Sequence, residues 1–133
     1  NAAEKQENDL VRLIVSRADA GLGFFVAEEA GEVLGFATYD QFRAGVGYAR
    51  AMEHTLVLAP EARGKGLGRG LMERIEYHAR ARQAHSMMAG VSAENEGAIA
   101  FHAKLGYAEV ARVPEVGWKF GRWMDLVLMQ KFL

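Results

Sequence analysis

The stretch Arg63-Gly64-Lys65-Gly66-Leu67-Gly68-Arg69-Gly70 combines residue types suited to holding a phosphate-bearing ligand. It follows the apolar run Thr55 to Ala59 and opens an amphipathic helical pattern. Glycines remove the Cβ atoms that keep a ligand off the backbone. A helix N-terminus adds unpaired N–H groups and a partial positive charge. The spacing is not that of a Walker loop, in which Ser or Thr follows the lysine, because Gly66 follows Lys65. Nor is it Gly-x-Gly-x-x-Gly: counted from Gly64 the third glycine position holds Arg69, and from Gly66 it holds Leu71. On spacing alone, a glycine-rich turn joining strand to helix is an equally good account.

Glu53 is the second chemical candidate. It stands in a mostly apolar strand pattern, where a buried carboxylate is costly. Partial burial would raise its pKa toward the range of a general base. From the residues alone, a solvent-facing position or an ion pair with Arg50 explains it as simply. His54, next in the chain, points to the opposite face if the strand is regular. The four histidines invite a metal reading, but none shows His-x-x-x-His spacing and the chain has no cysteine. No metal site is expected. Without cysteine there are no disulfides and no cysteine-acyl intermediate.

The elements that must position these residues follow from periodicity. Leu10, Leu13, Ile14 and Arg17 fall at helical spacing in residues 1–20, with a stop near Gly21-Leu22-Gly23. Phe24 to Ala27 reads as a strand, Ala30-Gly31-Glu32 as a tight turn, and Val33 to Phe42 as a second strand. A glycine-bearing loop (43–49) precedes a third strand, Arg50 to Ala59, ended by Pro60. Leu67, Leu71, Ile75 and Ala79 mark one face of a helix over 66–82, with Arg69, Glu73, Arg74, Glu76 and Arg80 mostly elsewhere on the wheel. A fourth strand spans Ser86 to Ser92, and a short helix runs from Glu94-Asn95-Glu96 to Leu105 with Gly106 as its cap. Tyr107 to Val113 is a fifth strand, Pro114 to Gly121 a loop, and Trp123 to Phe132 a last strand whose consecutive Leu126-Val127-Leu128-Met129 predict burial of both faces. The order α-β-β-β-α-β-α-β-β predicts a mixed α/β (α+β) architecture, with helices flanking one central sheet in a single domain over residues 1–133.

The net charge of −1 gives no bulk electrostatic support for nucleic-acid or anionic-membrane binding. No apolar run reaches the length of a membrane span, no signal peptide is visible, and the cysteine-free composition fits a cytoplasmic location. The chain starts at Asn1 rather than Met, as expected of a trimmed or partial N-terminus.

Taken together, Arg63 to Gly68, the strand before it, Asn95, and Ala98-Ile99-Ala100-Phe101-His102-Ala103-Lys104-Leu105-Gly106-Tyr107 resemble the GNAT superfamily of acyl-CoA-dependent N-acetyltransferases. Glu53-His54-Thr55 and the segment Val116 to Leu126, with Lys119-Phe120-Gly121-Arg122-Trp123, narrow the resemblance to the phosphinothricin / methionine sulfoximine N-acetyltransferase group. It runs from about Gly23 to the C-terminus. Two departures stand out. Where the resemblance implies a first strand and first helix at the N-terminus, only the helix before Phe24 is expected in the sequence as it stands. The family's Arg-Pro-Phe loop is here Arg43-Ala44-Gly45, which removes an apolar wall and bears on acceptor specificity.

The resemblance implies acetyl-CoA as co-substrate and direct acetyl transfer, without a covalent intermediate, to the amine of methionine sulfoximine, methionine sulfone or phosphinothricin. It implies a cofactor site of Arg63, Gly64, Lys65, Gly66, Leu67, Gly68 and Arg69 around the pyrophosphate, with Asn95 and Lys104, and backbone groups of Leu56, Val57 and Leu58 along the pantetheine arm. Glu53 becomes the general base. His102, where many members carry a tyrosine, becomes the candidate acid or else a helix histidine that only packs; Tyr107 and Tyr48 are weaker alternatives. Arg43, Ala44, Gly45, Glu53, His54 and Thr55 line the acceptor side, with Arg43 suited to a carboxylate. Trp118, Phe120 and Trp123 are expected either at a homodimer contact beside the acceptor site or in the packing of the last hairpin. The competing functions are an N-acetyltransferase of protein N-termini, polyamines or aminoglycosides, and a non-catalytic acyl-CoA-binding module.

Overall fold

The computed structural model describes residues 2–133, with side chains from Asp9 onward. The elements are α1 (Ala2–Asp19), β1 (Phe24–Glu29), β2 (Glu32–Gln41), β3 (Ala51–Leu58), α2 (Leu67–Ala81), β4 (Ser86–Ser92), α3 (Glu96–Lys104), β5 (Ala108–Lys119) and β6 (Arg122–Phe132), with 3-10 turns at Val46–Tyr48 and Pro60–Ala62. The strands hydrogen-bond in the order β1-β2-β3-β4-β6-β5. β3 and β4 are parallel, while β1/β2, β4/β6 and β5/β6 are antiparallel. This is the mixed α/β class expected from the periodicity. Among the described residues, no helix is long and apolar enough to cross a membrane.

Two compact units hold these elements. One contains the residues up to Asp40 together with His54–Arg82; the other contains Gln41–Glu53 with Gln83–Leu133. In the first, α1 and α2 pack on β1. Ala30 (φ 51) and Gly31 (φ 82) close the β1–β2 hairpin between Glu29 and Glu32, the paired positive φ values of a type I′ turn. α2 buries Leu71, Met72, Ile75 and Ala79, the apolar face that the spacing marks. Glu76, placed by the wheel mostly away from that face, is also buried at 5% exposure. Its neighbours Ile75 and Met72, one and four residues before it, explain this: the buried stripe is wider than the i, i+4 row of four residues. Beside it the Tyr39 hydroxyl, fully buried, lies 2.6 Å from Nδ1 of His78. Burial, with the Arg82 charge, holds His78 below its ordinary pKa, which favours the neutral ring.

The second unit is built on β4, whose Met87, Met88, Ala89 and Val91 are buried along with Met52, Val127 and Met129. α3 packs on β4 and β5. In β6, Val127 and Met129 are fully buried while Leu126 and Leu128 are half-buried, so one face is sealed and the other only partly covered. β5 is longer than expected: the predicted loop at Pro114 to Gly121 is mostly strand, continuing to Lys119. Two register shifts, at Glu109/Ala111 and Val113/Gly117, and Glu115 at φ 51 absorb the proline. β5 is an edge strand, where a missing N–H disturbs no second ladder. Phe120 (φ 56) and Gly121 (φ 71) then close β5–β6 as a second two-residue turn between Lys119 and Arg122.

Candidate active site

In the first unit, the residues ahead of α2 form a backbone surface. Gly64 (φ 78) and Gly66 (φ 76) both take the left-handed conformation that side chains disfavour. A Cβ built on either would meet nothing within 4 Å, so the space in front of the loop is open. Gly66 is the N-cap of α2, and no side chain caps that end. A 15-residue helix with an uncapped N-terminus offers orphan N–H groups and its dipole to an anion. The side chains are solvated: Arg63, Lys65 and Arg69 are exposed, Lys65 lies 3.4 Å from Glu29 and Arg69 lies 3.3 Å from Glu73. Leu67 is half-buried and Gly68 buried. The chemistry of this donor set, backbone N–H plus flexible cations, fits a pyrophosphate.

β3 supplies a second surface. Its parallel ladder to β4 holds Ala51, Met52 and Glu53 and ends at the pair Glu53–Met88. His54 to Leu58 lie outside that ladder. Thr55 and Val57 are exposed, while His54, Leu56 and Leu58 are half-buried.

In the second unit Glu53 is half-buried, and burial raises its carboxyl above the ordinary glutamate range. Its Oε2 lies over Gly90 of β4, 3.1 Å from where a Cβ on that glycine would stand, and Leu126 Cδ1 lies 3.5 Å from the same point. Leu126 also lines a cavity of about 410 Å³ with Ser92, Val116, Trp118, Met124 and Asp125. Gly90 was not singled out by sequence, and Leu126 only as part of an apolar run and of the segment carrying the resemblance: a glycine in an apolar strand gives no sign of which side chain crosses it.

The other predicted residues of this unit fall as follows. His102 is buried; its Nδ1 donates to the carbonyl of Ala98 at 2.7 Å, and its ring meets Phe101 and Tyr107 edge-on. Asn95 caps α3, its Oδ1 accepting from the Ala98 N–H at 3.0 Å. Lys104 is exposed in the last turn of α3. Arg43 stacks on the Tyr48 ring at 5.2 Å in an exposed loop that also carries Ala44 and Gly45. The loop is held from beneath by Gln41, whose Nε2 donates to the carbonyls of Arg43 and Gly45, each at 2.7 Å. Trp118, Phe120 and Trp123 are exposed at the β5–β6 tip, the two tryptophans edge-to-face at 4.8 Å. Glu94 and Arg122 form a bidentate pair (2.6 and 2.7 Å) that ties the start of β6 to the loop before α3.

Comparison with known proteins adds a family and relatives. The model of the acetyltransferase (GNAT) family matches residues 2–107. The L-amino acid N-acyltransferase MnaT of Escherichia coli (strain K12) is 40% identical over 115 residues, 86% of this chain and 67% of the relative. The L-methionine sulfoximine/L-methionine sulfone acetyltransferase of Salmonella typhimurium is 41% identical over 110 residues, 83% of this chain and 64% of the relative. The chain thus spans about two thirds of the length of these relatives. A crystal structure of a GNAT superfamily phosphinothricin acetyltransferase from Sinorhizobium meliloti in complex with acetyl-CoA superposes with a TM-score of 0.88 at 31% identity, covering 96% of this chain and 69% of that one.

Proposed function

Because the chain belongs to the acetyltransferase (GNAT) family, we propose that it moves acetyl from acetyl-CoA directly to the amine of a small amino-acid analogue. The acceptors are methionine sulfoximine, methionine sulfone or phosphinothricin, the substrates in the names of its relatives. The observation that carries the reading is Glu53, a half-buried carboxylate whose pKa is raised by burial and whose Oε2 lies over Gly90 of β4. An alkyl ammonium is not a nucleophile, and a carboxylate tuned upward by burial is a better match for removing its proton.

Acetyl-CoA supplies an acetyl group activated as a thioester. Backbone N–H groups of Gly64 to Arg69 and the α2 dipole hold its pyrophosphate, with Arg63, Lys65, Arg69 and Lys104 as mobile counter-charges. Leu56, Val57 and Leu58 present strand backbone to which an extended pantetheine arm can add, and one of their N–H groups donates to the oxyanion as the carbonyl is attacked. Asn95 acts through α3, whose first turn it fixes. Glu53 takes the ammonium proton. The amine nitrogen bonds to the acetyl carbon as the C–S bond breaks, and the thiolate leaves with the bonding pair. His102 keeps one proton at Nδ1 on the Ala98 carbonyl, so the proton it delivers to the thiolate is a second one, carried at Nε2. Arg43 pairs with the acceptor's carboxylate, Ala44 and Gly45 widen the site, and His54 and Thr55 complete its wall. No metal takes part. The exposed Trp118, Phe120 and Trp123 support a homodimer, which sedimentation velocity would detect as a doubled mass, and the cysteine-free chain suits the cytoplasm.

Thiol release from acetyl-CoA, measured across an acceptor panel, tests the assignment. The expected result is highest kcat/KM for the three amino-acid analogues. A preference of more than about tenfold, or 1.4 kcal/mol, for peptide N-termini or polyamines overturns the acceptor class, and binding of coenzyme A without turnover of any amine overturns the activity.

A further inference from the structure

We propose that Gly90 is the positioning residue for Glu53: lacking a side chain, it reserves on β4 the space that holds the carboxylate in place and open to water. This deepens, and rests on, the assignment of Glu53 as base. Glycine inside a strand is unfavourable relative to alanine by roughly 0.5–1 kcal/mol, so its presence at the centre of the sheet needs a cause. Backbone conformation is not the cause, since Gly90 is absent from the positive-φ glycines and sits in regular register opposite Leu128 of β6. Close backbone approach is not the cause either. The nearest atoms to a Cβ at this point are the ends of two side chains, Glu53 Oε2 at 3.1 Å and Leu126 Cδ1 at 3.5 Å.

The register explains the encounter. Glu53 pairs with Met88, and Gly90, two residues on, shares the face of that position. The flanking Ala89 and Val91 are buried while Gly90 itself is exposed, so solvent reaches the carboxylate across the glycine. A methyl here would push the carboxylate by a few tenths of an ångström and cover one of its sides. Since burial alone raises the Glu53 pKa, with no charged side chain among the described residues contributing, added cover moves it further up.

The test uses the full chain with Glu53 followed by carboxyl-carbon NMR, beside steady-state kinetics, for Gly90→Ala and Glu53→Gln. Gly90→Ala is expected to melt at or above the temperature of the unaltered chain and to bind coenzyme A unchanged. Its kcat should fall about tenfold, and both the carboxyl titration and the acidic limb of the rate profile should move to higher pH. An unchanged titration and acidic limb in Gly90→Ala overturn the role of Gly90, even if Glu53→Gln is inactive. Full activity of Glu53→Gln overturns the assignment of Glu53 as base, while the shifted titration still reports the positioning.

Discussion

At the start of α2 the chain offers a ligand its backbone: two left-handed glycines, an uncapped helix end, and cations that stand in solvent with acidic neighbours. At Glu53 it offers one side chain, lifted in pKa by burial and resting over a glycine. On the proposed reading, the first surface should tolerate the loss of any one side chain but not a change of backbone conformation. The second depends on one group and on the exact space left for it. Binding a donor of fixed charge needs many weak, redundant donors, whereas moving a proton needs one tuned group.

The sharpest way to break this contrast is at Glu53. Glu53→Gln should lower kcat/KM by about 100- to 10,000-fold while leaving coenzyme A affinity unchanged in a calorimetric titration. The same variant should melt higher at about pH 8. A carboxyl whose pKa is raised by folding stabilises the fold only while protonated, and that contribution is lost as pH rises through the folded pKa. Equal melting of the two proteins at alkaline pH would show that the carboxylate is not desolvated.

Next in size is the glycine loop. Gly66→Val forces a β-branched residue into the left-handed region at a cost of about 1–2 kcal/mol, and coenzyme A affinity should fall about five- to thirtyfold. Lys65→Ala, which removes an exposed charge already near Glu29, should cost about threefold or less. If the lysine proved the more damaging of the two, the surface would be one of side chains after all.

Asn95→Ala removes the α3 cap, about 1 kcal/mol, and should lower the melting temperature by about 3–5 °C with a smaller effect on turnover than Glu53→Gln. Smallest is a pH effect in the first unit. His78 is held below its ordinary value of 6.5, so the stability it contributes is complete above that pH and is lost as pH falls through and below it. A melting temperature that declines on acidification in the unaltered chain and less so in His78→Gln is the expected record.

The loop ahead of α2 and the helix it opens were legible in the sequence because glycine spacing and helix phase mark them, though spacing alone did not separate a ligand cradle from a plain turn. The strand and helix order was legible for the same reason: Leu71, Ile75 and Ala79 are buried where a 3.6-residue period puts them. The side-chain surface was less so. Glu53 drew notice as a charge in an apolar strand, but its seat over Gly90 is a contact between strands and leaves no local trace. Pro114 signalled a loop, and only the position of β5 at the sheet edge, a property of topology, lets the strand run through it. Glu76 was assigned by wheel angle, which records direction but not how much of the helix its neighbours cover.

The Gln41 clamp on the loop at residues 43–45 has an evolutionary consequence. Its two hydrogen bonds reach carbonyls, which every residue type possesses, and not the side chains of Arg43, Ala44 or Gly45. The path of the loop is therefore encoded outside the loop. Gly45, at φ 119, is held to glycine by its own backbone, but positions 43 and 44 can change side chain without removing either hydrogen bond that sets the path of the loop.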